Sequence, residues 1–182
     1  MEMREKYIAR LINEPKPSGF TEVKMVNAPQ IATARWMRQR CWYLCEASHE
    51  VDTVPPLSPS ADETQAVLEE FRFGLMISKE VGFPFPQNFD PVWLDFQRSL
   101  TNAENQAFVR GYGKAFLIGS GNCLFGHHDD SLRPCRFAGK KRPTMEAVGI
   151  NLHETLNMIG WDDLRVRDPH EPFQMFGLLL LE

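Results

Sequence analysis

Between an apolar run at 115–118 and a basic run at 140–142 the chain carries Cys123, His127, His128, Asp129, Asp130 and Cys135. Thiolate, imidazole and carboxylate are the side chains that coordinate metals. Thiolates are the soft ligands that zinc and iron–sulfur clusters favour. A second pair, Cys41 and Cys45, lies upstream. Four residues apart on a helix, its two thiols share one face about a turn from each other. That pair can chelate a metal. It can equally be two small buried hydrophobes, because unbonded cysteine is among the most buried residue types. Neither the spacing Cys41-x3-Cys45 nor Cys123-x11-Cys135 is that of a zinc finger or ribbon, where two-residue gaps dominate. Adjacent side chains rarely reach one ion, so only one or two of residues 127–130 would serve, with His127 and Asp129 the candidates. A polar surface turn is the competing explanation of that run.

Arg133, Arg136, Lys140, Lys141 and Arg142 surround the second cysteine. Such cations lower thiol pKa values, offset the charge of a thiolate cluster, or dock an acidic protein partner. Residues 1–45 and 111–145, which hold the cysteines, each carry a net charge of +4, within a total of −4 for the chain. A general nucleic-acid binder would be more basic overall, so no nucleic acid is expected. Four cysteines in 182 residues do not make a disulfide scaffold. No apolar run approaches the ~20 residues that span a membrane, and the acidic N-terminus does not resemble a secretory signal. A cytoplasmic protein of one domain, residues 1–182, is the expectation.

The elements that must position these residues follow from periodicity. Met3, Tyr7, Ile8, Leu11 and Ile12 mark an amphipathic helix over 2–13, ended by Pro15 and Pro17. Phe20–Val26 alternates loosely as a strand. Ile31, Ala34, Met37, Cys41, Leu44 and Cys45 mark a helix over about 30–46, with Pro29 in its first turn. Ser60-Ala-Asp-Glu63 is a capping box opening a short helix to Glu69. Phe71–Ser78 reads as a strand. Trp93, Phe96, Leu100, Ala103 and Ala107 mark a long helix over 91–109, and a strand over 114–119 follows. Met145, Val148, Leu152, Leu156 and Ile159 predict one further helix, with Thr144 as its cap, Glu146 in its first turn, Gly149 as its weak point and Gly160 as its stop. Phe173–Leu181 is a final, central strand. The predicted fold is α+β or α/β, with a single mixed sheet of about three to five strands packed by helices. The long helix allows a parallel crossover between strands 71–78 and 114–119.

These pieces resemble a family of predicted cysteine-rich metal-binding proteins of unknown function, found largely in anaerobic bacteria and archaea. The likeness covers most of the chain and is strongest from about Gly113 onward. In that family a strand ending Ala-Phe-x-x-x-x-Gly leads to Cys-x2-Cys-x2-Cys, then Pro-Cys-Arg, a basic stretch, Arg-Pro-Ser-Met-Glu-Ala-x-Gly-Ile and a strand with Phe-Gly-Leu. The matching pieces here are Ala115-Phe116 through Gly121, Pro134-Cys135-Arg136, Arg142-Pro143-Thr144-Met145-Glu146-Ala147, Gly149-Ile150 and Phe176-Gly177-Leu178. Cys41 and Cys45 match an upstream pair, and Val54-Pro55-Pro56 matches the family's Cys-Pro-Pro. The resemblance implies an iron–sulfur or other metal site, and this sequence departs from it at the ligands. Gly126, Asp129 and Val54 stand where three of the family's seven cysteines would be.

Three readings follow. Cys41, Cys45, Cys123 and Cys135 converge on one zinc or one iron–sulfur cluster. Alternatively, a remnant pair recruits His127 or Asp129 into a mixed site. In the third, the metal is lost and the chain serves as a structural or interaction subunit of a larger complex. Metal binding with electron transfer in an anaerobic redox system is the leading expectation. Motifs of a separate active site are missing: there is no Gly-x-Ser-x-Gly elbow, P-loop or His-Glu-x-x-His.

Overall fold

The structure, a computed structural model, describes residues 2–13, 19–44, 53–84, 86–88, 90–121, 140–161, 168 and 170–182. Its elements are helix α1 (Glu2–Asn13), strand β1 (Glu22–Asn27), helix α2 (Arg35–Leu44), helix α3 (Ala61–Glu69), strand β2 (Phe73–Val81), helix α4 (Asp90–Val109), strand β3 (Phe116–Ile118), helix α5 (Leu152–Met158) and strand β4 (Phe173–Leu180). The fold is α+β. Its sheet has four strands in the order β1-β2-β4-β3, and β4 is central as expected.

Every neighbouring pair in this sheet is antiparallel, where the sequence suggested a mixed sheet. The reason is that β4, last in the chain, inserts between β2 and β3. The crossover through α4 does return the chain parallel to β2, but one strand away. Strand β4 is buried on both faces over Met175–Leu180, which explains its continuous apolar run.

Alternate residues of the central strands feed two cores. Leu75, Ile77, Met175 and Leu179 face α1 and α4, where they meet Tyr7, Ile8, Leu11, Phe96 and Leu100. Met76, Phe176, Leu178 and Leu180 face the other way, toward Leu68 of α3, Met145, Val148, Ile150, Leu156 and Trp161. Gly177 is required by this layering, since a Cβ there would lie 2.6 Å from Leu100 Cδ1.

Two helices differ from expectation. The helix predicted over 30–46 starts only at Arg35. Residues 28–30, including Pro29, form a separate 3-10 turn. The link between them is held by other chain segments: Thr33 bridges Ile150, and Ala34 N–H donates to the Gly149 carbonyl at 2.7 Å. The helix predicted from Thr144 to Ile159 is two pieces. A single turn over 144–148 ends at Gly149, with φ +83°. There Gly149 N–H donates to Glu146 O and Ile150 N–H to Met145 O, the paired bonds of a Schellman cap. Glu146 therefore sits in an isolated turn. Helix α5 then starts afresh under an Asn151 cap and ends at Gly160 by the same device, with Gly160 N–H donating to Asn157 O and Trp161 N–H to Leu156 O.

The remaining helices follow the pattern read from sequence. The capping box is complete: Ser60 Oγ accepts from Glu63 N–H at 3.2 Å, and Glu63 accepts from Ser60 N–H at 2.7 Å. The carboxylate accepts from both Ser60 N–H and Ser60 Oγ–H, and these two bonds, the backbone one dominant, hold its pKa below the ordinary value. Pro15 and Pro17, proposed as the stop of the first helix, lie outside the described residues, as does most of the polar loop read at 162–172.

Candidate metal centre

Strand β3 delivers the chain to a corner built by α4. Leu117 and Ile118 are buried in opposite cores, which leaves Gly119, Ser120 and Gly121 to turn away. Gly119 N–H donates to the Pro143 carbonyl at 2.7 Å, and Gly119 also bridges Thr144 in parallel. The Ser120 carbonyl accepts from Trp93 Nε1 at 2.8 Å and Gln97 Nε2 at 3.0 Å, both on α4. Gly121 has φ +63°, and a Cβ there would fall 2.1 Å from Trp93 Nε1. The Gly-Ser-Gly run thus serves close backbone approach to a helix.

The segment 122–139, with Cys123, His127, Asp129, Asp130, Arg133, Cys135 and Arg136, lies outside the described residues. The chain leaves and re-enters the described structure at one place. Lys140, Arg142, Gly119, Ser120, Gly121, Gln97 and Thr101 line one small cavity there.

Arg142 is bound to Glu104 of α4. Its Nε lies 3.1 Å and 3.0 Å from the two carboxylate oxygens, and Nη2 lies 2.5 Å from Oε2. The same Glu104 carboxylate accepts the Leu117 N–H at 2.8 Å. Glu104 is buried and the Arg142 side chain is 21% exposed. Fork geometry of this kind is the strong form of an ion pair. One of the five cations read as a partner-docking group therefore already has a buried internal partner. Lys140 is exposed and Lys141 half-buried.

The upstream cysteines belong to α2. Cys41 is half-buried and packs against a small cluster of Val54 and Ala147, each fully buried. Arg38, one turn earlier, donates to the carbonyls of Pro56 (2.8 Å), Ser58 (2.9 Å) and Pro59 (3.1 Å), fastening residues 56–59 to α2. Ser58 Oγ in turn donates to the Ala147 carbonyl at 2.8 Å. Cys45 follows the last residue of α2 and lies outside the described residues.

Cys41 thus packs against a cluster that includes Ala147 of the 144–148 turn, and Thr144 of the same turn bridges Gly119, which precedes the other cysteine segment. Thr144 Oγ1 also accepts from Ala147 N–H at 3.1 Å, so the turn joins the two regions through a bonded unit. Among the described residues no three His, Cys, Asp or Glu side chains gather as a metal site. Val54 is fully buried and apolar, so that position supplies no ligand.

Periodicity had one usable signal for Glu104. It lies four residues after Leu100 and three before Ala107, which puts an acid on the apolar stripe of α4. An acid there demands a buried partner. Nothing in the sequence named Arg142 as that partner, because the pairing spans 38 residues.

The chain belongs to a family described as predicted metal-binding proteins (DUF2284), which it matches over residues 24–181. Helix α1 precedes the matched region. Comparison with curated proteins and with solved structures gave no match. Among the described residues no helix is long and apolar enough to cross a membrane.

Proposed function

We propose that the chain holds one metal ion or iron–sulfur cluster through Cys41, Cys45, Cys123 and Cys135, and works in electron transfer within a cytoplasmic, anaerobic redox system. The observation that carries this reading is the shared turn: Cys41 packs against the cluster of Val54 and Ala147, and Thr144, in the same turn as Ala147, bridges Gly119, four residues before Cys123. Membership of a family of predicted metal-binding proteins supports it.

An upstream site of three thiolates does not fit, because Val54 is buried among apolar atoms. The two thiolates of Cys41 and Cys45 fall short of the four ligands that zinc or a cubane takes. Two more must come from 122–139. Cys123 and Cys135 supply them, with His127 or Asp129 as substitutes in a mixed site. A bound cluster would supply one-electron redox chemistry, and a bound zinc a structural cross-link. The protein's own part is to hold thiolates and exclude competing ligands.

The buried Val54 also favours a second reading, in which the cluster is lost and the chain is a structural or interaction subunit. The basic residues Arg133, Arg136, Lys140 and Lys141, of which Lys140 is exposed, would then serve an acidic partner.

Anaerobic purification followed by metal, acid-labile sulfide and visible absorption measurements separates the two. Iron with sulfide and visible colour supports the cluster, and zinc without colour a structural site. Cys41→Ala and Cys135→Ala should each abolish the metal. Full metal content in both variants overturns convergence, and a metal-free wild type supports the subunit reading.

A further inference from the structure

We propose that the outward face of α2 docks an acidic protein partner, with Trp36, Arg40 and Tyr43 as its contact residues. The proposal goes beyond the metal reading and holds whether or not the chain carries a metal. Helix α2 buries Met37 and sets Cys41 against the Val54–Ala147 cluster. Away from that side stand Arg35, Trp36, Gln39, Arg40 and Tyr43, all exposed. Arg40 lies four residues after Trp36 and three before Tyr43. The three therefore share one face, with the two aromatic residues about 10 Å apart along the helix axis. Trp36 is 55% exposed and Tyr43 81%.

Single exposed apolar side chains need no explanation. Trp, Tyr and Arg side by side are another matter, because these residue types dominate binding hot spots. The face is also held in place. Arg38 fastens α2 to the carbonyls of Pro56, Ser58 and Pro59. Arg35 pairs with Asp62 of α3 through Nε at 3.2 Å and Nη2 at 2.5 Å. The Tyr43 ring stacks on its half-buried neighbour Trp42, with centroids 6.5 Å apart and planes 25° off parallel. A face ordered in advance loses little conformational freedom on binding.

Charge selects the partner. Helix α2 carries three arginines and no acid. Arg38 is committed to carbonyls and Arg35 to Asp62. Arg40 has no ion-pair partner among the described residues. A guanidinium between two aromatic residues suits a carboxylate, which it holds in fork geometry while apolar atoms over Trp36 and Tyr43 keep water out. One uncommitted cation is too few for an anionic membrane or a nucleic acid, since both are held through several Lys and Arg. A second copy of the chain, docked through the same face, would set arginine against arginine. The occupant is a protein surface that bears Asp or Glu beside apolar side chains.

The test places the photo-crosslinking residue p-benzoylphenylalanine at Gln39, inside the face, in the full chain expressed in its native cells. A control chain carries it at Phe108, an exposed residue of α4. Adducts formed under ultraviolet light are identified by mass spectrometry. Arg40→Glu and Tyr43→Ala are then introduced, with circular dichroism and thermal melting to verify that both are folded. Metal content is measured on the same preparations, so failure of docking and failure of the metal reading are told apart.

The expected result is a protein adduct formed from position 39 and not from 108, with Asp or Glu in the crosslinked segment, and lost in Arg40→Glu. With the adduct protein purified, Arg40→Glu should bind it about 30-fold more weakly. Exchange of the facing carboxylate for Lys should restore binding to Arg40→Glu. Absence of a protein adduct particular to position 39 overturns the proposal. So does an adduct with lipid, nucleic acid or a second copy of the chain, or an affinity unchanged in folded Arg40→Glu and Tyr43→Ala.

Discussion

Tyr7 shows how a single polar atom is accommodated in the core beneath the sheet. Its hydroxyl donates to the Ala103 carbonyl of α4 at 2.8 Å, which ties α1 to α4 across 96 residues of sequence. Burial pushes its pKa from 10 up to about 12, against the opposing pull of the nearby Arg110 and Arg10. The folded protein thus keeps the phenol proton more tightly than the unfolded chain. Stability from this group is fully present below pH ~10 and is lost as pH climbs through about 12. Denaturant melts at stepped alkaline pH should show this decline, and Tyr7→Phe should flatten it while lowering neutral-pH stability by about 1 kcal/mol. A slope unchanged by Tyr7→Phe would assign the alkaline loss to other groups. Val54 offers a second test at this scale. It touches the cluster that receives Cys41, and cysteine is close to valine in size, so Val54→Cys should preserve the fold. If the resemblance has correctly placed the missing thiol, the variant binds Zn²⁺ more tightly than wild type, as competition with a chromogenic chelator would measure.

Among the elements, the two glycine-capped turns after Arg142 carry most of what the sequence hid. Met145, Val148, Leu152 and Leu156 keep helical spacing straight through Gly149, because the two short pieces present their apolar sides to one core. Periodicity reports which side is buried and cannot see a break that preserves it. Gly160 was legible as a stop because the pattern ended there. Gly149 makes the same cap in mid-pattern and therefore looks like a weak point. The sheet order was illegible for another reason, since antiparallel pairing of β4 with both β2 and β3 is non-local. By contrast the α4 stripe, the apolar β4 run and the Ser60–Glu63 box were read from sequence, because each is local. Substitution can rank these devices. Gly149→Ala forces a left-handed φ on alanine, costing about 1–2 kcal/mol. It also sets a Cβ 2.7 Å from Ala61 Cβ, so the total should exceed that figure. Ser60→Ala, which removes only a cap, should cost about 1 kcal/mol. Urea titrations that reversed this order would mean the 144–149 turn tolerates rearrangement and is not the rigid joint between the two cysteine regions.

At the scale of the whole molecule, the placement of the cysteines makes a thermodynamic demand. Cys41 belongs to α2 and packs against the Val54–Ala147 cluster, while Ser120, just before the undescribed segment 122–139, is bonded to Trp93 of α4. The 144–148 turn is what brings their neighbourhoods together. A metal held by all four cysteines would cross-link regions separated by about half the chain, and it would bind the folded state alone. Binding free energy of that kind becomes folding free energy, by roughly 2.7 kcal/mol when free metal exceeds Kd a hundredfold. Removing the metal with a chelator should therefore lower the Tm of wild type, and re-addition should restore it. Cys41→Ala is the decisive comparison. If the four thiols share one metal, this variant melts at one temperature with or without chelator, because the metal is already lost. If Cys41 is only a small apolar residue filling the Val54–Ala147 niche, the variant is destabilised by its own cavity, and the chelator lowers its Tm by as much as in wild type. Calorimetry with and without chelator on these two proteins therefore measures whether α2 and the segment after β3 belong to one site.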